Sequence, residues 1–371
     1  MKHLIGYIWY KYIGFLFRLL PIKKNRIVMS NLLGKGYGDN PKYIANELLS
    51  RKDVDLEIVW LVKDKYYDDI PSEIKQVKRG TIKELYYLST AKIWVDNSRK
   101  HIGVTKRKSQ YYIQTWHGDL FIKMLEKDVE ESLPKMYIDS AIADSKMVDL
   151  ITSGSSFFTN VVRRAFWYDG DILECGSPKT DPYISNNKKS DKEYKTVVYA
   201  PTFRDNGDNS CCNIDYDKLI ETLENKYNCK WKVIIRFHSN VSYLQNSITY
   251  TDEIINGSKF SDIKDMIIDC DMLITDYSST AFDAMYAKKL VLLYVPDEDE
   301  YYKVRKSQFK NEDIPFPRAK TNEELFNNIK NLNEKDFYDK VKIFLEEKIK
   351  SYEKGIASKS VADVIIKQTN I

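Results

Sequence analysis

The sequence predicts an α/β protein with two doubly wound domains, each a parallel sheet covered by helices on both faces. Apolar runs typical of buried strands alternate with helical patterns along most of the chain. The predicted strands are Arg26–Ser30, Leu56–Val62, Lys92–Asp96, Tyr111–Trp116, Thr196–Ala200, Trp231–Phe237, Met272–Thr275 and Leu290–Val295. The predicted helices are Pro41–Arg51, Ile82–Ala91, Ser155–Phe166, Tyr216–Asn225, Ser279–Lys288 and Asn322–Leu332. At 371 residues the chain also exceeds the size at which one hydrophobic core usually stops growing.

A polar run at Ser185–Lys192 lies between the fourth and fifth predicted strands and marks the domain boundary. The predicted ranges are 1–24 for an amphipathic N-terminal segment, 25–187 for the first domain and 188–371 for the second. The last helical patterns, Asp336–Tyr352 and Ser358–Lys367, are able to pack back across this boundary. Because parallel sheets bind ligands at the carboxyl ends of their strands, two facing sheets predict one central cleft.

The N-terminal segment joins apolar and basic residues, and no acidic residue occurs before Asp39. On a helix, Lys11 and Arg18 fall on one side. The other side carries Ile5, Ile8, Trp9, Tyr12, Leu16 and Leu19. No uncharged apolar run approaches the ~20 residues that span a bilayer, and the pattern is not that of a signal peptide. These features favour a helix in the membrane interface with cationic flanks. A helix packed on the protein body is the alternative.

Composition argues against several classes of protein and site. The formal net charge is only +4 and no basic-aromatic stripe occurs, so no nucleic-acid partner is expected. The five cysteines are odd in number and lack C-x-x-C spacing, which indicates a reducing compartment without disulfides or a zinc site. With four histidines, a histidine-rich metal site is not expected either. We therefore predict no metal and no cofactor.

The first predicted strand leads into a glycine-rich loop, residues 31–40, which ends before Pro41. Its spacing matches neither the dinucleotide-binding G-x-G-x-x-G pattern nor a P-loop. Asp39 or Asn40 is expected to cap a helix that has Pro41 in its first turn. The glycines would let a phosphate or a polyol approach the backbone near the positive end of that helix. A plain strand-to-helix turn is the alternative.

The fourth predicted strand ends in Trp116, His117 and Gly118. A histidine at the mouth of a parallel strand is placed to act as a base on a substrate hydroxyl. The glycine beside it leaves backbone room for a ligand. A histidine with a purely structural role is the alternative.

In the second half, Arg236 and His238 follow each other at the end of a strand with one residue between them. Side chains alternate along a strand, so both point to one face. An arginine and a histidine together at a strand end suit a phosphate or pyrophosphate. A salt-bridged surface pair is the alternative.

Two further strand ends in this half carry polar residues. The strand Met272–Thr275 turns at Asp276 into a helix that begins near Ser279. The amides at that helix start, with the serine hydroxyls, predict an anion site, and Asp276 is placed for a ribose or polyol hydroxyl. A simple serine cap is the alternative. Arg204, after the strand Thr196–Ala200, is placed to serve the same phosphates.

In their order and spacing these motifs resemble the CDP-glycerol glycerophosphotransferase family of teichoic acid and capsule synthesis. The resemblance runs from about Arg26 to Val304. The motifs that carry it are Gly34-Lys35 to Asp39-Asn40-Pro41-Lys42, Gln114-Thr115-Trp116-His117-Gly118, Gly176-Ser177-Pro178-Lys179-Thr180-Asp181, Tyr199-Ala200-Pro201-Thr202-Phe203-Arg204, Arg236-Phe237-His238 and Thr275-Asp276-Tyr277-Ser278-Ser279 to Asp283. The resemblance implies a GT-B fold of two Rossmann-like domains that face a central cleft.

The resemblance also implies roles for particular residues. His117 and His238 would be catalytic, with the first domain binding the acceptor and the second binding CDP-glycerol. The donor-binding residues would be Trp116, Gly118, Lys179, Thr202, Arg204, Arg236, Asp276, Ser278, Ser279 and Asp283. The acceptor-side loop would use Lys35, Asp39 and Asn40. Glycerol phosphate would pass to a lipid-linked polymer at the cytoplasmic face of the membrane, with CMP leaving and arginine and helix amides in place of a metal.

Three departures from the family pattern leave alternatives open. Asp119 and Leu120 replace Thr-Pro after the Trp-His-Gly motif, Lys179 replaces an arginine, and Ser239 replaces a proline. A CDP-ribitol donor or a sugar-linked acceptor remains open for this reason. A GT-B glycosyltransferase that uses a nucleotide sugar is the second reading, because it would share the fold and the phosphate-binding residues. A non-catalytic polymer-binding protein is a third reading, but it has no evident use for two histidines at strand ends.

Overall fold

The structure, a computed structural model, describes residues 6–185, 192–202, 213–237, 248–259, 263–304 and 306–369. These residues form two compact units. The first unit contains residues 6–119, 125–182 and 349–369, and the second contains residues 120–124 and the described part of 183–348. The predicted second domain, 188–371, therefore differs from the second unit at its end, because the last helix belongs to the first unit.

The first unit is built on a parallel sheet, to which the described residues contribute seven strands. They are β1 (Lys23–Ser30), β2 (Glu57–Val62), β3 (Lys75–Lys78), β4 (Ala91–Asp96), β5 (Tyr111–Gln114), β6 (Leu150–Ser153) and β7 (Asp171–Glu174). Their order is β3-β2-β1-β4-β5-β6-β7, and neighbouring strands are parallel. The order reverses between β1 and β4, which is where such sheets bind ligands.

Helices alternate with these strands along the chain. They are α1 (Asp39–Ser50), α2 (Ile82–Thr90), α3 (Lys135–Ser145), α4 (Ser156–Ala165) and α5 (Asp181–Ser185). The C-terminal helix, Ala357–Thr369, buries Val361, Ala362 and Ile365 in the same core as Ile44 of α1. Burial of this apolar face explains why a helix from the end of the chain belongs to the first unit.

The second unit repeats the plan with a sheet of six strands among the described residues. They are β8 (Tyr194–Tyr199), β9 (Lys230–Ile235), β10 (Ile254–Asn256), β11 (Met272–Thr275), β12 (Leu290–Tyr294) and β13 (Arg318–Ala319). The order β10-β9-β8-β11-β12-β13 is again parallel and reverses between β8 and β11. Its helices are α6 (Tyr216–Tyr227), α7 (Ile263–Asp269), α8 (Thr280–Tyr286), α9 (Glu298–Val304), α10 (Asn322–Asn331) and α11 (Glu334–Ile343), which continues as a π-helix, Phe344–Ile349.

The prediction of two parallel α/β sheets is confirmed, and each of the eight predicted strands is present. Five strands were not predicted: β3, β6, β7, β10 and β13. Each has only two to four residues, too few for a periodic pattern to stand out. The strand predicted to reach Trp116 ends at Gln114, because Trp116 adopts a left-handed backbone conformation.

The N-terminal helix, defined as Trp9–Ile13 in π-helical form and Gly14–Phe17 in α-helical form, packs on α2. Gly14 is buried there, and the Ser89 hydroxyl donates to its carbonyl oxygen at 3.4 Å. The opposite side exposes Ile8, Tyr12, Phe15, Leu16 and Leu19. One side of the helix thus packs on the protein body, and the predicted apolar side faces outward. Within the described part of the chain, no helix has the length and apolar character needed to cross a membrane.

Candidate functional site

The loop after β5 carries the histidine that the sequence predicts as a base. Trp116 has a φ of 51°, a left-handed conformation that costs a non-glycine residue ~1 kcal/mol or more. The side-chain oxygen of Gln114 accepts the N–H of Trp116 at 3.0 Å. Asn40 Nδ2 donates to the carbonyl oxygens of Thr115 and Trp116 at 3.1 and 3.0 Å. Both amide side chains are buried, so the strained backbone is held by bonds that water does not disturb.

His117 is exposed, whereas its neighbours Trp116 and Gly118 are buried. Its Nδ1 lies 2.9 Å from the carbonyl oxygen of Asn97. Because a carbonyl oxygen can only accept, Nδ1 carries the proton in the neutral ring and Nε2 keeps its lone pair. The ring also stacks on Trp116 with 4.5 Å between centroids. His117 therefore presents a basic nitrogen in a fixed orientation.

A buried ion network supports Trp116 from the other side. The Arg99 guanidinium lies 5.5 Å from the centroid of the Trp116 ring and bonds Glu126 at 2.8 Å and Asp144 at 3.3 Å. Burial disfavours the charge of Arg99, but the two carboxylates outweigh this and raise its pKa. Burial also raises the pKa of Asp144, against the opposing effect of Arg99. The network fixes the indole on which His117 stacks.

The glycine-rich loop after β1 is tied to the same place. The N–H groups of Leu32 and Leu33 donate to the Asn97 side chain at 2.7 Å and to the Ser98 hydroxyl at 3.1 Å. Positive φ angles occur at Leu32, Leu33, Gly34, Gly36 and Asp39. Asn97 thus binds this loop through its side chain and His117 through its carbonyl oxygen. Lys35, predicted on the acceptor side, is exposed on the loop.

The predicted capping role of Asp39 or Asn40 is wrong. α1 begins at Asp39 after Gly38, and no side chain caps it. Asp39 has a φ of 55°, and its carboxylate accepts the N–H of Asn40 at 2.8 Å. The amide of Asn40 is committed elsewhere: besides its two donated bonds, its Oδ1 accepts from the Ser177 hydroxyl at 3.0 Å and from the N–H of Lys179 at 2.9 Å.

Three residues predicted to bind the donor lie in the first unit: Trp116, Gly118 and Lys179. Lys179 is buried, and its Nζ lies 3.5 Å from the point that a Cβ of Gly118 would occupy. Asn40 bonds both the segment before His117 and the segment that contains Lys179. The structure therefore gathers His117, Gly118, Lys179 and Asn40 in one place, at the carboxyl ends of first-unit strands.

In the second unit, Asp276 and Thr202 bridge the ends of β11 and β8, where the strand order reverses. The Asp276 carboxylate accepts the N–H of Thr202 at 2.9 Å and its hydroxyl at 3.0 Å. Asp276 is fully buried. The sequence predicted it as a partner for a ligand hydroxyl, and the structure engages it in fixing the turn that follows β8.

Arg236 follows the end of β9 and is half-buried, while Phe237 turns into the core, as alternation predicts. Its Nη1 donates to the carbonyl oxygen of Gly257 at 3.2 Å and lies 3.6 Å from the sulfur of Met266. These two partners are a neutral carbonyl oxygen and a thioether. The sequence prediction that Arg236 binds a phosphate rests on its guanidinium group and its place at a strand end.

Ser278 and Ser279, which precede α8, differ in their hydrogen bonds. Ser278 Oγ lies 2.6 Å from Thr280 Oγ1 and accepts the N–H of Thr280 at 3.2 Å. Ser279 occupies the capping position, but its hydroxyl makes no capping bond, so the simple serine cap does not account for it. Asp283 is half-buried on the first turn of α8. Arg204 and His238, predicted for donor binding and catalysis, lie outside the described residues.

Sequence reasoning missed the residues that hold the site together. Asn97 and Ser98 follow a correctly predicted strand, so polar residues at that strand end were the available signal. The sequence contains no signal for Arg99, because its buried partners Glu126 and Asp144 are distant in sequence. Among the residues that the structure describes, no group of three acidic, histidine or cysteine side chains is arranged to hold a metal ion.

Comparison with known proteins adds a family match. A family model for CDP-glycerol:poly(glycerophosphate) glycerophosphotransferases matches residues 13–367. The teichoic acid poly(glycerol phosphate) polymerase of Bacillus spizizenii is 29% identical over 378 residues, which cover 94% of this chain and 93% of that protein. The polymerase of the same description from Staphylococcus epidermidis is also 29% identical over 93% of this chain, which spans only 51% of that longer relative.

A solved structure extends the likeness to the fold. The wall teichoic acid polymerase TagF is 27% identical with a TM-score of 0.82, and the match covers 100% of this chain and 96% of that chain. A variant of TagF soaked with CDPG matches with 26% identity and a TM-score of 0.80 over the same shares of the chains. The fold is therefore GT-B-like, with two Rossmann-like parallel-sheet domains.

Proposed function

Because the chain belongs to the CDP-glycerol:poly(glycerophosphate) glycerophosphotransferase family, we propose that it transfers glycerol phosphate from CDP-glycerol to a hydroxyl of a teichoic-acid-like polymer. The oxygen of the acceptor hydroxyl attacks the phosphorus that carries glycerol. The bond from that phosphorus to CMP breaks, and CMP leaves. The observation that carries this proposal is the geometry of His117.

His117 is the general base of the proposed reaction. An alcohol is a weak nucleophile at neutral pH. Removal of its proton as the phosphorus–oxygen bond forms lowers the barrier and raises the rate by about 10²–10⁴-fold. Asn97 keeps the Nδ1 proton in place, which leaves Nε2 to take the proton of the hydroxyl. Exposure of the ring gives the acceptor access to that nitrogen. Asn40, Gln114 and Arg99 hold the loop so that little reorganisation precedes the step.

The second unit supplies the donor site. Arg236, which is half-buried just after the end of β9, would neutralise the pyrophosphate of CDP-glycerol with its guanidinium charge. Ser279 would donate its hydroxyl to a phosphate oxygen, and Arg204 and His238 would add the charges predicted from the sequence. Thr202 and Asp276 keep the ends of β8 and β11 in register. Most of the catalytic effect then comes from positioning and charge neutralisation, as in other phosphoryl transfers.

We further propose that the protein works at the cytoplasmic face of the membrane on a lipid-linked acceptor. The N-terminal helix is anchored to α2 by Gly14 and by contact of Phe17 with Tyr86, so its exposed apolar side cannot be buried by turning. Lys11 and Arg18 flank that side. Apolar residues inserted beside cations that face anionic headgroups are the features of an interfacial helix.

A donor comparison tests the proposed reaction. Purified protein, incubated with a lipid-linked acceptor, is supplied with CDP-glycerol, CDP-ribitol or UDP-sugars, and release of CMP or UDP is measured. We expect CMP release with CDP-glycerol and elongation of the acceptor by glycerol phosphate. Faster turnover with CDP-ribitol would reassign the donor. UDP release with a hexose transferred would replace the proposal with a glycosyltransferase.

A further inference from the structure

Two carboxyl groups, Asp119 and Glu353, lie side by side at the strand ends of the first unit. Asp119 follows the Trp116–Gly118 motif, and Glu353 comes from the segment before the C-terminal helix. The point that a Cβ of Gly154 would occupy lies 2.2 Å from Asp119 Oδ2 and 2.8 Å from Glu353 Oε1. A Cβ on Gly176 would lie 2.8 Å from Glu353 Oε2. A side chain at either position would have to displace these carboxyl groups.

The two oxygens of Glu353 have different surroundings. Oε1 accepts the N–H of Ser177 at 2.8 Å. Oε2 is shielded from solvent and has no hydrogen-bond partner within the described parts of the chain. An ionised carboxylate would leave this oxygen as a buried, unsatisfied acceptor, which is costly. Protonation of the carboxyl lowers this cost, because a neutral group is less costly to bury than a charged one.

The charges around Glu353 favour the protonated form. Burial raises its pKa well above the ordinary value, and the negative charge of Asp119 adds to the effect. Asp181 also raises it, while Lys179 acts in the opposite sense. Asp181 is itself satisfied by the N–H groups of Ala357 and Ser358. Two ionised carboxylates beside each other at Gly154 would repel, and a single proton between them removes that repulsion.

We propose that Glu353 and Asp119 share one proton, and that this pair is a positioning device that holds the segment Ser177–Lys179 against the His117 loop. Glu353 Oε1 accepts the N–H of Ser177 and also lies beside Asp119 Oδ2 at Gly154, and the shared proton lies between the two carboxyl groups there. Asp119 is the second residue after His117, so the pair joins the two segments from one side. Asn40 joins the same two segments from the other side. Lys179 is thereby kept beside Gly118.

This inference rests on the proposed transferase function for its activity readout. Glu353→Gln retains an acceptor for Ser177 and a donor for Asp119, so it mimics the protonated pair at every pH. We expect it to keep the wild-type kcat near neutral pH and to lack the fall in kcat that ionisation of Glu353 causes at higher pH. Glu353→Ala removes both bonds and should lower kcat by about tenfold or more, with the KM for CDP-glycerol unchanged. Glu346→Gln, which removes an exposed carboxylate, is the control and should follow the wild type.

A second readout needs no activity. In the unfolded chain Glu353 ionises at about its ordinary pKa of 4.5, and in the folded protein at a higher pH. Between these values the folded state binds one proton more, so the wild type loses stability as pH rises, by up to about tenfold in the folding constant per pH unit. Glu353→Gln should not show this loss, and the difference is measured by denaturant unfolding across pH.

Parallel stability profiles for the wild type and Glu353→Gln would overturn the shared proton while leaving the proposed reaction intact. Damage to kcat in Glu353→Gln equal to that in Glu353→Ala would overturn it as well, because an ionised carboxylate would then be required. Absence of CMP release from every protein, with the stability difference present, would instead overturn the proposed function and keep the pair.

Discussion

The candidate residues of the two units are held in different ways. In the first unit, His117 is oriented by the backbone of Asn97, and its loop is fixed by the buried amides of Asn40 and Gln114. In the second unit, Arg236 is half-buried on a neutral carbonyl oxygen, and Ser279 makes no capping bond. The supports of His117 are thus buried, whereas Arg236 and Ser279 lie half-buried at a strand end and at a helix start.

This difference follows from what each group must do. A base accelerates transfer only if it stands in place before the substrate arrives, so its supports are bonds that the substrate never touches. A cation that binds a pyrophosphate must be reached and released by its ligand at each turnover, which suits a half-buried place at a strand end. We therefore expect changes in the first unit to act on kcat and changes in the second to act on donor KM.

The largest effect should come from His117. His117→Ala removes the base and should lower kcat by about 10²–10⁴-fold. CDP-glycerol affinity should be nearly unchanged, because Arg236 and Ser279, which we assign to the donor phosphates, belong to the other unit. Steady-state kinetics and donor binding by calorimetry measure the two quantities. His101→Ala changes a histidine of the same unit outside the site and should leave kcat unaltered. Loss of donor affinity in His117→Ala would contradict the assignment of kcat effects to the first unit and donor KM effects to the second.

Asn40→Asp tests how strongly kcat depends on the hydrogen bonds that hold the His117 loop. Asn40→Asp keeps the oxygen that accepts from Ser177 and Lys179 but removes the two bonds donated to Thr115 and Trp116. Each buried group left without a partner costs about 1–3 kcal/mol, so we expect a fall in kcat of roughly 10–100-fold and a lower free energy of unfolding. Asn46→Asp, on the same helix, is the control. An unchanged kcat in Asn40→Asp would mean that the loop needs no such support.

Arg236 tests the second half of the comparison. A hydrogen bond to a charged group contributes about 1.5–3 kcal/mol, so Arg236→Ala should raise the donor KM by roughly 10–100-fold. Ser279→Ala removes a neutral contact worth about 1 kcal/mol and should raise it only about fivefold. Lys232→Ala, which changes a residue of β9, is the control and should change neither kcat nor the donor KM. A fall in kcat without a change in donor KM for Arg236→Ala would contradict the assignment of this arginine to binding.

The smallest effect on catalysis is expected at the N-terminal helix, which belongs to the first unit but not to its site. Leu16→Ser and Leu19→Ser should each weaken binding to anionic vesicles by about tenfold, since a buried leucine contributes about 1.5–3 kcal/mol. Turnover on a water-soluble acceptor should stay the same, and added salt should weaken the remaining binding. Ile356→Ser removes an exposed apolar side chain elsewhere and serves as the control. Vesicle binding that survives both leucine changes would remove the membrane role of this helix.

The sequence predicted the sheets well because their central strands are continuous apolar runs, such as Glu57–Val62 and Leu290–Tyr294. It could not predict edge strands such as Lys75–Lys78, which has charged residues at both ends and owes its place to its neighbour. The motifs lie at or within a few residues of strand ends, although β5 ends at Gln114 and not at Trp116. They could not predict which polar groups form hydrogen bonds with one another. Ser177, for example, donates to both Asn40 and Glu353, which are far from it in sequence.

The same limit explains the errors at particular residues. Asp39 and Asn40 have side chains typical of a helix cap. The Asn40 amide instead donates to the carbonyl oxygens of Thr115 and Trp116, which are distant in sequence. The sequence also contains no sign that the N–H of Lys179 donates to Asn40 of α1. Local propensity predicts which groups seek partners, and only the fold decides which partners they find.

The place of the C-terminal helix has a consequence for synthesis on the ribosome. Val361, Ala362 and Ile365 complete a core whose other members, such as Ile44, are translated more than 300 residues earlier. The second unit, whose described residues all precede 349, is fully translated before those residues emerge. We therefore expect the nascent chain to finish its second unit while the first still exposes an apolar groove on α1. During that interval the first unit is the part that depends on chaperones.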